Sequence, residues 1–217
     1  TGLLWALEGL AWDEQYLVRV CVVLGELASH DPGGQWANRP ANSLSTILLP
    51  WLPQTLASVE KRKVAMRTLI NEWPDVAWNL IIQLLPGQHQ TSSGSHKPSW
   101  RKIIPDDWEK GVTHQEYWQQ ASFYAELSVS AAGHNTSRIS TLIDNFDNLP
   151  QPAFDQLIEV LSSKPIFEIS EDQRLSIWDH LTKFTNHHRR YSDAKWALPE
   201  ELIVRIEAVA EKLAPID

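Results

Sequence analysis

Residues 17–28 read LVRVCVVLGELA, and this stretch decides the fold class. Its apolar residues recur at helical spacing, at Leu17, Val20, Cys21, Leu24, Leu27 and Ala28. An α-helix repeats every 3.6 residues, so these side chains form one apolar stripe along an amphipathic helix. The stretch therefore predicts a helix over 14–29 that buries one face.

The same rhythm continues along the chain and predicts helices at roughly 3–11, 14–29, 43–50, 55–72, 75–85, 113–132, 137–147, 152–162, 171–188 and 199–214. Thr113 with Glu116 and Ser170 with Gln173 have the spacing of capping boxes, which mark helix starts. Residues 165–169 alternate as a strand would, but they have no partner strand and are predicted to be a short linker.

These helices predict an all-α fold of antiparallel helix pairs, arranged as a HEAT-like α-solenoid or as an irregular multi-helix bundle. A length of 217 residues suits a single domain over 1–217, with a division into 1–112 and 113–217 as the alternative. Because the chain opens at Thr1 and has no visible signal peptide, we expect a fragment of a longer cytoplasmic polypeptide.

Charge and cysteine content exclude several classes of function. A net charge of −8 argues against a basic surface for nucleic acid. The single cysteine, Cys21, excludes an internal disulfide framework and a multi-cysteine zinc site. It lies on the apolar stripe, so we expect a buried side chain with little nucleophilic character.

The first of two irregular loops reads DPGGQWANRPAN (31–42). Its glycines suggest a phosphate loop, but no strand precedes them and no Lys-Ser/Thr follows, so a turn is favoured. Trp36 and Arg39, with the amides of Asn38 and Asn42, could bind a partner or could brace the loop on the next helix.

The second loop covers residues 86–112 and is long enough to be functional rather than a simple connection. It gathers His89, His96, Lys97, Trp100, Arg101 and Lys102, and cations beside an indole can bind a phosphate or stack on a base. The alternative is a solvated loop that its tryptophans anchor to the helices. We predict that ligand or partner binding, where it occurs, uses Trp36, Arg39, His96, Lys97, Trp100 and Arg101.

No catalytic centre is predicted. The sequence has no serine elbow, its histidines lack metal-ligand spacing, and adjacent carboxylates suit the first turns of helices. The group His180, His187, His188, Arg189 and Arg190 is interpreted as charge at a helix C-terminus. We therefore expect no catalytic residue, no metal site and no cofactor.

The predicted core contains the stripe residues and several tryptophans: Leu17, Val20, Cys21, Leu24, Leu69, Trp78, Ile81, Ile82, Trp118, Leu142, Ile143, Phe146, Leu157, Ile158, Leu161, Trp178, Leu181, Ile203, Ile206 and Val209. Tryptophans within helices, Trp5 among them, are interpreted as packing residues.

Six segments together carry a family resemblance: LLWALEGLAW (3–12), DPGGQWANRPANSL (31–44), LPWLPQT (49–55), VAWNLIIQLLPGQH (76–89), HKPSWR (96–101) and YSDAKWALPEELIVRIEAVAE (191–211). They resemble the long helical, HEAT-like region of large, poorly characterised bacterial proteins, some of them NTPase-linked and defence-associated. The resemblance implies a helical scaffold or sensor region attached to an effector elsewhere. The serine-rich stretch TSSGS (91–95) departs from it.

The leading functional hypothesis is a non-catalytic scaffold or sensor segment that binds a protein partner or other domains of the same polypeptide. The alternative is a nucleic-acid or nucleotide-binding module that uses the basic and aromatic loops, although nucleic acid is not the favoured partner. An all-α hydrolase is the least favoured hypothesis, and no membrane contact is expected.

Overall fold

A computed structural model describes the whole chain except Thr1, Gln35, residues 88–90, Ser93, residues 100–101 and residues 216–217. The described residues form eleven α-helices: α1 (Gly2–Ala11), α2 (Leu17–Ser29), α3 (Pro40–Ile47), α4 (Val59–Glu72), α5 (Pro74–Leu84), α6 (His114–Ala132), α7 (Thr136–Ile143), α8 (Gln151–Leu161), α9 (Lys164–Phe167), α10 (Glu171–Arg190) and α11 (Glu200–Leu213). Short 3-10 helices occupy Trp108–Lys110 and Phe146–Asn148. This part of the chain contains no strand, and the all-α prediction is confirmed.

Both predicted capping boxes form. The Thr113 amide donates to Glu116 Oε2 at 2.9 Å, and the Glu116 amide donates to Thr113 Oγ1 at 3.2 Å. Ser170 and Gln173 exchange the same pair of bonds at the start of α10. Each box satisfies amides that have no partner within the helix.

The linker predicted at 165–169 is wrong in part, because residues 164–167 form the short helix α9. Pro165 occupies its first turn, where a fixed φ suits a helix start and the missing N–H costs nothing. Ile166 is fully buried and holds the turn in place. Four residues are too few for apolar periodicity to separate a helical turn from a strand.

The chain divides into two compact units, unit 1 over residues 1–124 and unit 2 over 125–217, and the division falls inside α6. In unit 1, α2 packs against α1, α3, α4 and α5. In unit 2, α10 packs against α7 and α11, and α8 contacts α11. One helix is therefore the packing centre of each unit.

The core of unit 1 is built on the predicted stripe of α2. Leu17, Cys21 and Leu24 have no exposed surface, and Trp12 is equally buried. Burying each aliphatic side chain contributes about 1.5–3 kcal/mol. Two residues of α6 add hydrogen bonds in this unit. Gln120 and Tyr124 both donate to the Leu48 carbonyl, at 2.9 and 3.3 Å.

Aromatic rings and one arginine organise unit 2. The ring of Phe146 lies 5.0 Å from that of Phe154 and 5.6 Å from that of Phe184, between centroids. Arg189 of α10 bonds two carboxylates of α11, Glu200 at 2.6 Å and Glu207 at 2.7–2.8 Å. These contacts fix α11 along α10.

Most of the predicted core residues are buried. The prediction for Trp118 is wrong, because 40% of its surface is exposed. Its indole donates to His114 Nε2 at 2.8 Å on the surface of α6. Ile82, Ile158 and Trp178 are half-buried. Large apolar residues next to a helix stripe can lie at its edge, and spacing alone does not show where the neighbouring helix ends.

No helix in the described part of the chain combines the length and the apolar character that crossing a lipid bilayer would require.

Two helical glycines predict opposite effects of the same substitution. A Cβ on Gly25 of α2 would lie 2.7 Å from Trp73 Cε3 and 2.8 Å from Leu69 Cδ2, whereas a Cβ on Gly9 of α1 would meet nothing within 4 Å. We expect Gly9→Ala to raise the free energy of unfolding by about 0.5–1 kcal/mol through helix propensity. Gly25→Ala should lower it, because overpacking costs about 1–3 kcal/mol. Urea unfolding followed by circular dichroism measures both, and equal effects in the two variants would contradict the packing of α2.

Candidate functional site

Three segments of unit 1 meet around a groove of about 530 Å³, here called the Trp5 groove. They are α1, residues 37–46 and residues 94–96. Its lining is aromatic, amide and hydroxyl in character and comprises Trp5, Glu8, Ala37, Asn38, Arg39, Asn42, Ser43, Thr46, Gly94, Ser95 and His96. The groove therefore joins parts of both loops that the sequence selected.

Glu8 holds the three segments together. Its Oε1 accepts a hydrogen bond from the Ser43 hydroxyl at 2.6 Å, and its Oε2 accepts one from the His96 amide at 2.8 Å. Hydrogen bonds to an ionised carboxylate are shorter and stronger than neutral ones. A single side chain of α1 thus positions the start of α3 and the 94–96 segment.

Trp5 and His96 form one wall of the groove. Their rings stack with centroids 5.5 Å apart and planes 12° from parallel, and the Trp12 indole N–H donates to the His96 carbonyl at 3.3 Å. Trp5 keeps 49% of its surface exposed. The stack presents a flat indole face. Its orientation is fixed by His96, which Trp12 in turn holds by a hydrogen bond.

Arg39 braces its own loop. Its guanidinium bonds both carboxylate oxygens of Asp31, with Nε to Oδ2 at 2.8 Å, and Nη1 donates to the Gly34 carbonyl at 3.0 Å. The Arg39 hydrogen bonds hold the pKa of Asp31 below its ordinary value. Gly33, at φ 83°, allows the turn that brings the two charges together. The Arg39 charge is therefore balanced within the loop.

A second hollow of about 440 Å³ adjoins the first and shares Asn38 and Arg39 with it. We call it the Trp36 hollow, since Trp36 lines it with 85% of its surface exposed. Asp31, Gly33 and Pro40 complete the lining. Two exposed indoles therefore border neighbouring depressions in one face of unit 1.

The predicted site residues separate into three groups. Arg39 and His96 line the Trp5 groove, and Trp36 lines the hollow beside it. The Lys97 ammonium instead lies 4.1 Å from the centre of the Trp108 ring. Trp100 and Arg101 fall outside the described residues.

Sequence reasoning missed Trp5 and Glu8 as groove residues, because α1 reads as an apolar packing helix. Half of the Trp5 surface is in fact exposed, and Glu8 makes two tertiary hydrogen bonds. One signal was present, since Glu8 is the only charged residue in GLLWALEGLA. A carboxylate inside an apolar helix needs partners, although the sequence does not say which ones.

The histidine and arginine group at the end of α10 is structural. The His188 ring packs on Phe184 with centroids 4.3 Å apart, and its Nδ1 accepts the Leu198 amide hydrogen at 3.1 Å. His187 stacks on Trp196, and Arg189 is paired with Glu200 and Glu207. These contacts attach residues 191–199 to the helix, beyond the capping role that the sequence indicated.

In the described part of the chain, no group of three His, Cys, Asp or Glu residues is arranged to hold a metal ion. Cys21 is fully buried, as predicted, and burial raises the pKa of its thiol to about 12. The thiol is protonated at neutral pH and is a poor nucleophile.

The two hydrogen bonds that Glu8 accepts predict a local effect of Glu8→Ala. Alanine has no accepting oxygen, so the His96 amide and the Ser43 hydroxyl both lose this partner, at a cost of about 1 kcal/mol each. We expect faster hydrogen exchange at the His96 amide, measured by NMR. Glu14→Ala is the matched control, since Glu14 is exposed and receives one bond, from Ser58 at 3.3 Å. Equal exchange in both variants would contradict the bridge.

His188 predicts a loss of stability in mild acid. Burial, and to a lesser extent the charge of His187, lowers the pKa of His188 below its ordinary value of 6.5, while Asp147 opposes this shift. Below about pH 6.5 the unfolded chain binds a proton that the folded protein does not, so the free energy of unfolding falls as pH falls. His188→Asn retains an acceptor and cannot titrate, so its stability should decline less between pH 7 and 5 in urea titrations. The exposed His134, replaced by Asn, is the control that should follow the wild type.

No protein-family model, no curated protein and no solved structure matches the chain. The resemblance to helical regions of large bacterial proteins therefore stays a prediction, and the site is interpreted from its own geometry.

Proposed function

We propose that this chain is a non-catalytic helical scaffold that binds an extended segment of a partner protein, or of another part of the same polypeptide, across the Trp5 groove and the Trp36 hollow. The observation that carries the proposal is the pair of exposed indoles, Trp5 at 49% and Trp36 at 85%, bordering adjacent depressions. Tryptophan is enriched among residues that dominate protein interfaces, because it buries a large area at a low entropic cost.

The polar groups between the indoles suit a polypeptide backbone. Asn38 lies in the wall shared by the two depressions, and Asn42, Thr46 and Ser95 line the groove. Amide and hydroxyl side chains both donate and accept, so they can pair with the alternating N–H and C=O groups of an extended chain. Apolar or proline side chains of that chain would stack on the indoles, as in aromatic-lined peptide grooves.

Charge weighs against a phosphate ligand at this face. The Arg39 guanidinium is held by Asp31, and Glu8 adds a carboxylate to the groove lining. Lys97 contacts Trp108, and in unit 2 Arg189 is paired with Glu200 and Glu207. Arg39, Lys97 and Arg189 are thus held by neighbouring side chains, whereas Arg101 lies outside the described residues.

The packing of unit 1 supports an irregular bundle over a regular solenoid. Repeats in a solenoid contact only their neighbours, whereas α2 packs against α1, α3, α4 and α5, and α5 also contacts α3. A bundle presents its loops on one rigid frame, which suits recognition by loops. The buried, unpaired Cys21 agrees with the cytoplasmic setting that we propose for the interaction.

The proposal is tested by selecting binders from a displayed library of random linear peptides on the immobilised chain. We expect the selected peptides to be rich in proline or apolar residues, and Trp36→Ala to weaken their binding by about tenfold or more in calorimetric titrations. Trp118→Ala is the matched control, since this indole is also exposed but lies on α6 outside both depressions.

The salt dependence of binding distinguishes peptide binding from nucleic-acid binding. Peptide binding through indoles should change little between low and high salt, whereas phosphate contacts weaken steeply. A single-stranded oligonucleotide serves as the competing probe. Oligonucleotide binding that is lost in salt, together with peptide binding that Trp36→Ala leaves unchanged, would overturn the proposal in favour of a nucleic-acid module.

A further inference from the structure

The charge of the Trp5 groove limits which side chains of a partner it can hold. Glu8 and Arg39 are the charged residues in its lining when histidine is taken as neutral. Arg39 is paired with Asp31, whereas the two groups that bond Glu8, the Ser43 hydroxyl and the His96 backbone amide, are both neutral. The groove therefore presents a carboxylate whose charge these contacts do not balance, in a chain whose net charge is −8.

Oxygen acceptors remain at the groove after the internal hydrogen bonds are made. A carboxylate can accept about four hydrogen bonds, and Glu8 accepts two. Asn42 uses its NH2 group on the Ala37 carbonyl at 2.6 Å, which leaves its amide oxygen to pair with a ligand. Glu8 is half-buried and Asn42 is exposed, and both line the groove. These acceptors suit a ligand group that is rich in N–H donors and positively charged.

The Trp5 indole lies beside this carboxylate. Trp5 and Glu8 are three residues apart in α1, so they lie on the same side of the helix, with their β-carbons about 5–6 Å apart. His96 covers one face of the indole, and 49% of the Trp5 surface stays exposed. An indole face attracts a cation that lies within about 6 Å of its centre. A cation on the exposed part of this ring is therefore also within reach of Glu8.

A guanidinium fits these groups better than an ammonium does. It is planar, so it stacks on an indole, and its N–H donors form a rigid fork that can bond a carboxylate with two parallel hydrogen bonds. The ammonium of lysine is a more strongly hydrated point charge. The remaining donors of the fork can pair with the Asn42 oxygen. At about 530 Å³, the groove has room for a whole arginine residue.

We propose that the partner segment carries an arginine whose guanidinium stacks on Trp5 and donates to Glu8. This inference rests on the proposed function, since it names the residue of the partner that the Trp5 groove holds. The Trp36 hollow then receives the apolar or proline residues beside that arginine. One ion pair adds little salt dependence compared with the several phosphate contacts of an oligonucleotide.

The test uses the intact chain and two small probes of the same shape, N-acetylarginine methylamide and N-acetylcitrulline methylamide, at neutral pH and fixed ionic strength. Citrulline replaces the guanidinium by a neutral urea. We expect the arginine probe to shift the NMR signal of the Trp5 indole N–H in a saturable manner, and the citrulline probe to bind at least about fivefold more weakly. Shifts that do not saturate, or equal affinities for the two probes, would overturn the proposal.

Two glutamate substitutions assign the charge contact. Glu8→Gln should remove most of the preference for the arginine probe over the citrulline probe. A disturbance of the groove alone weakens both probes equally, so the ratio of the two affinities reports the charge. Glu14→Gln is the matched control, because it removes the same charge from an exposed residue outside the groove lining and should keep the wild-type ratio. An unchanged ratio in Glu8→Gln would show that this carboxylate does not hold the guanidinium.

The small probes also separate this inference from the function on which it rests. Library peptides that bind through Trp36, with no saturable binding of the arginine probe at Trp5, would refute the arginine contact and leave peptide binding in place. Binding of the arginine probe at Trp5 and Glu8, with no library peptide that Trp36→Ala weakens, would support the arginine site and refute the binding of an extended segment.

Discussion

The apolar stripe of α2 is the constraint on which unit 1 depends. Leu17, Val20, Cys21 and Leu24 must be covered, and α1, α3, α4 and α5 do so from different sides. Because α1 and α3 cover the same helix, they also contact each other. That proximity allows Glu8 to reach Ser43, and the groove then forms where the 94–96 segment joins them. Burial of one helix thus leads to the geometry of a surface site.

Ion pairs within the fold limit which ligands the candidate surface of unit 1 can bind. The chain carries a net charge of −8, and two of its arginines are paired with carboxylates: Arg39 beside the Trp5 groove with Asp31, and Arg189 of unit 2 with Glu200 and Glu207. Such pairs contribute little stability at an exposed surface, but they remove the positive charge that would attract phosphate. What remains at the Trp5 groove is an aromatic and polar surface with one carboxylate, that of Glu8.

The sequence alone determined the all-α fold class, the capping boxes at Thr113 and Ser170, and the burial of Cys21, because each depends on residues within two turns of one another. It also identified Arg39 and His96, since cations and aromatic residues in long loops stand out by composition. Tertiary structure alone decided that Trp5 and Glu8 line the groove and that Trp118 is exposed. Those facts depend on which helix packs against which face of its neighbour. That packing is determined jointly by side chains that are far apart in the sequence.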